Sequence, residues 1–221
     1  MTAKEKFIEE KDEMKQNRKN RILESAFNLF SQKGIDTIAM TDIAKNAEIG
    51  VASLYRYYET KEEIAIRTVI WAWEKQKEII TPQFSSEEFE KLNGLEQIEC
   101  ILKVFTDLFE NQKDFLRFIY FFDSFAVRTE IPKERLEDYE IIISNVQQVV
   151  AKAISKGLED GSIKSIYKDS QTEMYFALMH SFFSTCQKLT LSGHLLKSDE
   201  LVSGSDQLKI MSDIIINGLK N

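Results

Sequence analysis

Apolar positions recur along this chain with the period of a helix, and no run alternates as a strand would. Ile22, Ala26, Leu29 and Phe30 stand at i, i+4, i+7 and i+8, one stripe of a helix expected over 15–33, and Leu23 and Phe27 widen it. Residues 1–14 are polar and read as a frayed leader or a helical extension. Gly34 follows the stripe, where a left-handed C-terminal cap belongs. Thr41 suits a helix N-cap and Asp42 the positive end of that helix, with Ile43, Ala44 and Ala47 facing inward. The turn Glu48-Ile49-Gly50 comes next, with Gly50 expected to take backbone angles that other residues resist. A helix over 51–58 then points Leu54 and Tyr58 inward. It leaves Val51, Ala52, Tyr55 and Arg56 outside, with Ser53 and Tyr57 on its flanks.

Thr60 and Glu63 have the spacing of a capping box for a long fourth helix, expected to run to about residue 80 and to end before Pro82. Further helices are expected over 95–111, 113–128, 133–158, 170–191 and 205–219. The fold class is therefore all-α with about nine helices. The expected boundary separates a helix-turn-helix domain at 15–60 from a larger helical domain at 61–221, with the fourth helix belonging mechanically to both.

Composition supports a sizeable core: 43% of the 221 residues are hydrophobic and 15 are Phe. No apolar run approaches the roughly 20 residues of a membrane helix, and the N-terminus lacks a secretory core segment, so no membrane partner and a cytoplasmic setting are expected. Cys100 and Cys186 are isolated and read as free thiols. His180 and His194 stand too far apart, without nearby ligands, to suggest a metal, and no cofactor is expected. The overall charge of −7 is unevenly spread. Residues 14–61 hold eight Lys and Arg against five Asp and Glu, a net +3, whereas 62–221 carry −8 and 1–13 carry −2. The positive section coincides with the helix-turn-helix, the asymmetry expected where phosphates are met. A charge of +3 is modest, so a dimer that doubles the phosphate contacts fits better than a monomer.

The ordered set Phe30, Gly34, Thr41/Ile43/Ala44, Ala47, Leu54-Tyr55-Arg56-Tyr57-Tyr58 and Lys61 resembles the TetR family of bacterial transcriptional repressors, over about 17–68. The chain departs from the family pattern at Glu48, where the family often has Gly, and at Gly50, where it often has Ser. The resemblance implies a homodimer whose first three helices read double-stranded operator DNA. The remainder would bind a small-molecule effector and dimerise through about 170–191 and 205–219. It implies Gly50, Val51, Ala52 and Tyr55 at base edges, and Thr41, Ser53, Tyr57 and Lys61 at phosphates, with Arg56 reaching either a phosphate or a guanine. Small residues at the start of a reading helix allow that close approach, and Lys61 at a helix start suits a phosphate. The expected activity is transcriptional regulation, by a repressor released from a palindromic operator.

The larger domain says less. Residues 117–125 are aromatic nearly all round, the mark of a helix buried on every side. Candidates for an apolar or amphipathic effector pocket are Phe105, Phe109, Phe122, Tyr139, Ile143, Tyr175, Met179 and Phe183, with Trp71 and Trp73 bordering or sealing it. Asp123 is an acid among aromatics and must be paired or protonated; it either meets an Arg or attracts a cationic effector. An enzyme finds no support, since there is no nucleophile–base set, phosphate loop or metal spacing. A helical adaptor that ignores DNA is the remaining alternative.

Overall fold

A computed structural model describes residues 3–191 and 197–221; His194 lies outside the described residues, as do Met1 and Thr2. The described chain is helical, with one isolated bridge between Ile163 and Lys220. The opening helix α1 spans Ala3–Lys33, so the polar leader is a helical extension. Its first turns are exposed, and burial begins in earnest at Ile22. Ala26 and Phe30 are fully buried with it, and Gly34 closes the helix at φ 77°, with its N–H on the Phe30 carbonyl. The helices α2 (Met40–Asn46) and α3 (Val51–Tyr55) follow, and α4 runs Lys61–Phe84.

Three local expectations need correction. Helix α2 is capped by Ala39 and not by Thr41; the Asp42 carboxylate accepts the Ala39 N–H at 2.9 Å and does the capping from inside the first turn. The third helix is tighter than 51–58, ending at Tyr55. Helix α4 continues through Pro82 to Phe84 instead of stopping before it. The carbonyl that Pro82 leaves without a donor is that of Glu78, an exposed residue, and the helix closes three residues on, where the Ser85 N–H and Oγ both donate to the Thr81 carbonyl. Thr60 does cap α4, accepting the Glu63 N–H at 3.1 Å, while Glu63 reaches one residue further back to the Glu59 N–H.

After the short α5 (Glu87–Lys91) come α6 (Gly94–Asn111), α7 (Lys113–Arg128) and α8 (Glu137–Glu159). Next, α9 (Gln171–Leu178), a π-helical turn (Met179–Phe183) and α10 (Ser184–Lys188) form one continuous rod, and α11 (Gly204–Leu219) ends the chain. Helices α6 and α8 cross at two glycines: a Cβ on Gly94 would lie 1.9 Å from the Gly157 nitrogen. Phe27 packs edge-on against Phe118 at 5.5 Å and against Trp71 at 5.9 Å, and Phe30 stacks on Phe118. The core thus runs without a break from α1 into α4 and α7. Of three exposed ion pairs, Arg128 with Asp36 ties the α1–α2 loop to α7, while Arg135 with Glu62 and Arg67 with Asp138 tie α4 to the segment that opens α8.

Candidate nucleic-acid interface and effector cavity

The α2–turn–α3 unit is mounted from behind. Leu54 is fully buried and Tyr58 nearly so, while burial pushes the Tyr58 hydroxyl up to about 12, with the Glu63 charge adding to it. Ser25 donates a buried hydrogen bond to the Ile43 carbonyl, and Arg21 holds both the Ala47 carbonyl and the Glu48 carboxylate. What remains outward is Thr41 on α2, Gly50, Val51 and Ala52 at the start of α3, and Tyr55 and Arg56 at its end. Ser53 and Tyr57 are half-buried, and Arg56 Nη2 donates to Ser53 Oγ at 2.8 Å. Lys61, expected at a phosphate, has its ammonium on three backbone carbonyls, of Ile35 and Asp36 at 3.0 Å and of Ile38 at 3.1 Å. It therefore fastens the α1–α2 loop to the start of α4.

The turn's special conformation sits on Glu48, at φ 53°, and not on Gly50, at φ −68°. A side chain in this left-handed region is strained by about 1 kcal/mol relative to glycine. Glu48→Gly should accordingly raise stability by about 0.5–1 kcal/mol, net of an exposed and weak Arg21 pair. It should also tighten DNA binding slightly by removing an anion from the turn. Chemical denaturation and a DNA titration check both, and a lower stability would overturn the assignment of strain. Gly50 has no atom within 4 Å of a notional Cβ, so the fold itself does not require a glycine there.

The second candidate feature lies between α4 and α8. A cavity of about 270 Å³ is lined on α4 by Trp73, Lys77, Ile80 and Phe84, and on α8 by Ile142, Asn145, Val146 and Val149. Helix α8 buries no residue before Val150, so its first turns stand off the core and frame this space. None of the eight pocket candidates lines it. Phe105 and Phe109 are buried, with Phe105 against Phe183 at 5.1 Å; Phe122 packs edge-on to Tyr139. Tyr175 lines a separate groove with Gln147 and Phe176, and Ile143 and Met179 are half-buried against the core. Trp73, Lys77, Ile80 and Phe84 do form a sequence stripe at i, i+4, i+7 and i+11 that would have marked the wall on α4. Beside Trp73, the Tyr139 hydroxyl donates to Asp123 Oδ1 at 3.2 Å. Burial raises the Asp123 carboxyl to about 6, against the opposing hydrogen bond from Tyr139 and a weaker approach by Gln187. By surface area Asp123 is nevertheless exposed, and it is not among the residues that line the α4–α8 cavity.

The sequence pattern of the "Bacterial regulatory proteins, tetR family" matches residues 22–68, which hold the second half of α1, α2, α3 and the start of α4. The biofilm operon icaADBC HTH-type negative transcriptional regulator IcaR of Staphylococcus aureus is 26% identical over 153 residues, covering 69% of this chain and 76% of its own. Residues 22–68 thus carry the DNA-binding pattern of the TetR family. The whole fold agrees. The TetR family transcriptional regulator PfmR of Thermus thermophilus superposes with a TM-score of 0.63 at 18% identity, over 91% of this chain and 100% of that one. The transcriptional regulator FadR of Bacillus subtilis, solved in complex with stearoyl-CoA, gives 0.63 at 15% identity, over 90% and 98%. Pattern and fold are those of TetR-family transcriptional regulators rather than of enzymes. Among the described residues no helix is long and apolar enough to cross a membrane, and no cluster of potential metal ligands is present.

Proposed function

We propose that the chain is a repressor that binds a palindromic operator as a homodimer and is released by a small apolar or amphipathic effector. The observation that carries the reading is the division of α3. Leu54 and Tyr58 anchor it, while Gly50, Val51, Ala52 and Tyr55 stand exposed together, bare enough at the helix start to approach base edges. Thr41, Ser53 and Tyr57 flank that face at the level of phosphates, and Lys61 contributes through its place at the start of α4. The sign of regulation is supported by the relative in Staphylococcus aureus, named as a negative regulator. A dimer face on the α9–α10 rod and α11 is supported by exposed Phe176, Ile210 and Ile214, and by an apolar groove lined by Met174, Leu178, Ile215 and Leu219. In this reading residues 15–60 form the DNA-binding domain and 61–221 the regulatory one. The cavity receives the effector, and α4, which runs from Lys61 to the cavity wall, is the lever between them.

Binding to the DNA upstream of the chain's own gene, in rising salt and against random competitor, tests the reading. A specific complex whose footprint shows two half-sites about one helical turn apart or a multiple of it is expected. Tyr55→Ala should change which sequence is preferred, with a loss of about 1–3 kcal/mol on the cognate site and little on random DNA. Equal losses on both would remove Tyr55 from the base readers.

A further inference from the structure

Asp123, Tyr139, Trp73 and Gln187 come from four different helices, α7, α8, α4 and α10, and meet at one point; of the four, Trp73 also lines the α4–α8 cavity. Their polar atoms are poorly matched. Trp73 Nε1 is buried without a hydrogen-bond partner; it approaches the Tyr139 hydroxyl without attaining bonding geometry. Gln187 Nε2 is likewise buried and unpartnered, short of a proper bond to Asp123. Both residues are more than nine-tenths buried, and a donor buried without an acceptor is a cost to the folded chain. Asp123 forms no ion pair among the described residues, and its neighbours supply only neutral donors. The rings of its neighbours are themselves packed on aromatics: Phe122 lies edge-on to Tyr139 at 5.2 Å, and Phe183 lies 6.3 Å from the Trp73 ring.

A carboxylate without a counter-ion, set among aromatic rings and loosely held amides, has the composition of a site for a positively charged ligand head. The carboxylate supplies the charge, and the ring faces supply cation–π attraction. Gln187 turned end for end presents its oxygen to the same head, since its amide orientation is an assignment and not an observation. We infer that this space takes an organic cation, a protonated amine seated on Asp123, with its apolar body lying along Trp73 into the α4–α8 cavity. The inference rests on the effector reading above and narrows its ligand class. Its structural corollary is that Asp123 is retained at a cost to the empty protein, which a neutral isostere removes.

The test uses the full chain with Trp71→Phe, which leaves Trp73 as the one tryptophan of the two. Its fluorescence is titrated with 2-naphthylmethylamine, with the neutral 2-naphthylmethanol, and with anionic 2-naphthoate, and DNA release is followed in parallel. The expected result is at least tenfold tighter binding of the amine than of the alcohol, and no better binding of the naphthoate. Asp123→Asn should bring the amine down to the level of the alcohol, leave the alcohol unchanged, and raise the melting temperature. Tyr139→Phe should weaken amine binding a few-fold. Alcohol or naphthoate binding as tightly as the amine, or a preference that survives Asp123→Asn, overturns the cation inference. If those ligands also release DNA, the effector reading stands without it. If none of the three binds, the cation site and the cavity as an effector site both fall, while DNA binding alone still tests the regulator.

Discussion

Gly94→Ala is expected to destabilise the chain by about 3 kcal/mol, a drop of roughly 6–12 °C in melting temperature for a protein of this size. The added methyl would lie 1.9 Å from the Gly157 nitrogen, 2.2 Å from its Cα and 2.6 Å from the Ala153 carbonyl oxygen. All three are backbone atoms of α8, so no rotamer change relieves the clash, and one helix must move off the other. Gly94 is also tied where it stands, its N–H donating to Asp160 Oδ2 at 2.8 Å and the Leu95 N–H to Ser162 Oγ at 3.1 Å. Displacing α6 therefore breaks these contacts as well. The same substitution at Gly50, where nothing lies within 4 Å, should leave the melting temperature within about 1 °C. Thermal melts of the two variants side by side are decisive. An unaltered melt for Gly94→Ala would mean that α6 and α8 do not cross at these glycines.

The second large effect is expected at Lys61. Lys61→Met keeps the stem but removes three charge-assisted hydrogen bonds, leaving the carbonyls of Asp36 and Ile38 without this donor and that of Ile35 with only the long bond from the Ile38 N–H at 3.4 Å. A loss of about 2–3 kcal/mol is expected, since the loop that joins α1 to the reading unit is held to α4 by this one ammonium. Affinity for every DNA sequence should then fall together, because the whole reading unit is less firmly mounted. A direct phosphate contact predicts a different signature: an unchanged melt, and a salt slope lowered by about 0.9. Measuring both quantities on one variant separates the two roles. A changed slope with an unchanged melt would overturn the mounting role.

The helical class, the Ile22–Ala26–Phe30 stripe, the inward Leu54 and Tyr58 and the Thr60 cap were all legible in the sequence, because each depends on neighbours within one or two turns. The misreadings have a common physical source. Thr41 and Ala39 compete for one cap, and propensity favours the hydroxyl, but the Asp42 carboxylate satisfies the Ala39 N–H from inside the helix. Gly50 drew the left-handed assignment by residue type, whereas the turn's geometry places it on Glu48. Lys61 finds its partners 23 to 26 residues away, beyond any local pattern. For the cavity, apolar periodicity marks a face that leaves bulk water. Core and cavity wall satisfy that condition equally, so Phe105 and Ile142 look alike in sequence although only Ile142 lines the space. Asp123 was the better clue, since a carboxylate among aromatics needs a reason to be there.

The ion pairs of Arg128 with Asp36, Arg135 with Glu62 and Arg67 with Asp138 bear on how DNA titrations of this regulator are to be interpreted. All three are exposed, and pairs of that kind weaken as added electrolyte screens them. The first joins the α1–α2 loop of the reading unit to α7, and the other two hold the start of α4 against the segment that opens α8. Raising ionic strength therefore loosens the orientation of the heads at the same time as it competes for the duplex. Part of any fall in affinity with salt would then come from a more loosely mounted reading unit, and involve no nucleotide at all. A phosphate count taken from the slope is thus a ceiling, and the footprint itself is the sounder measure of how much of the duplex is touched.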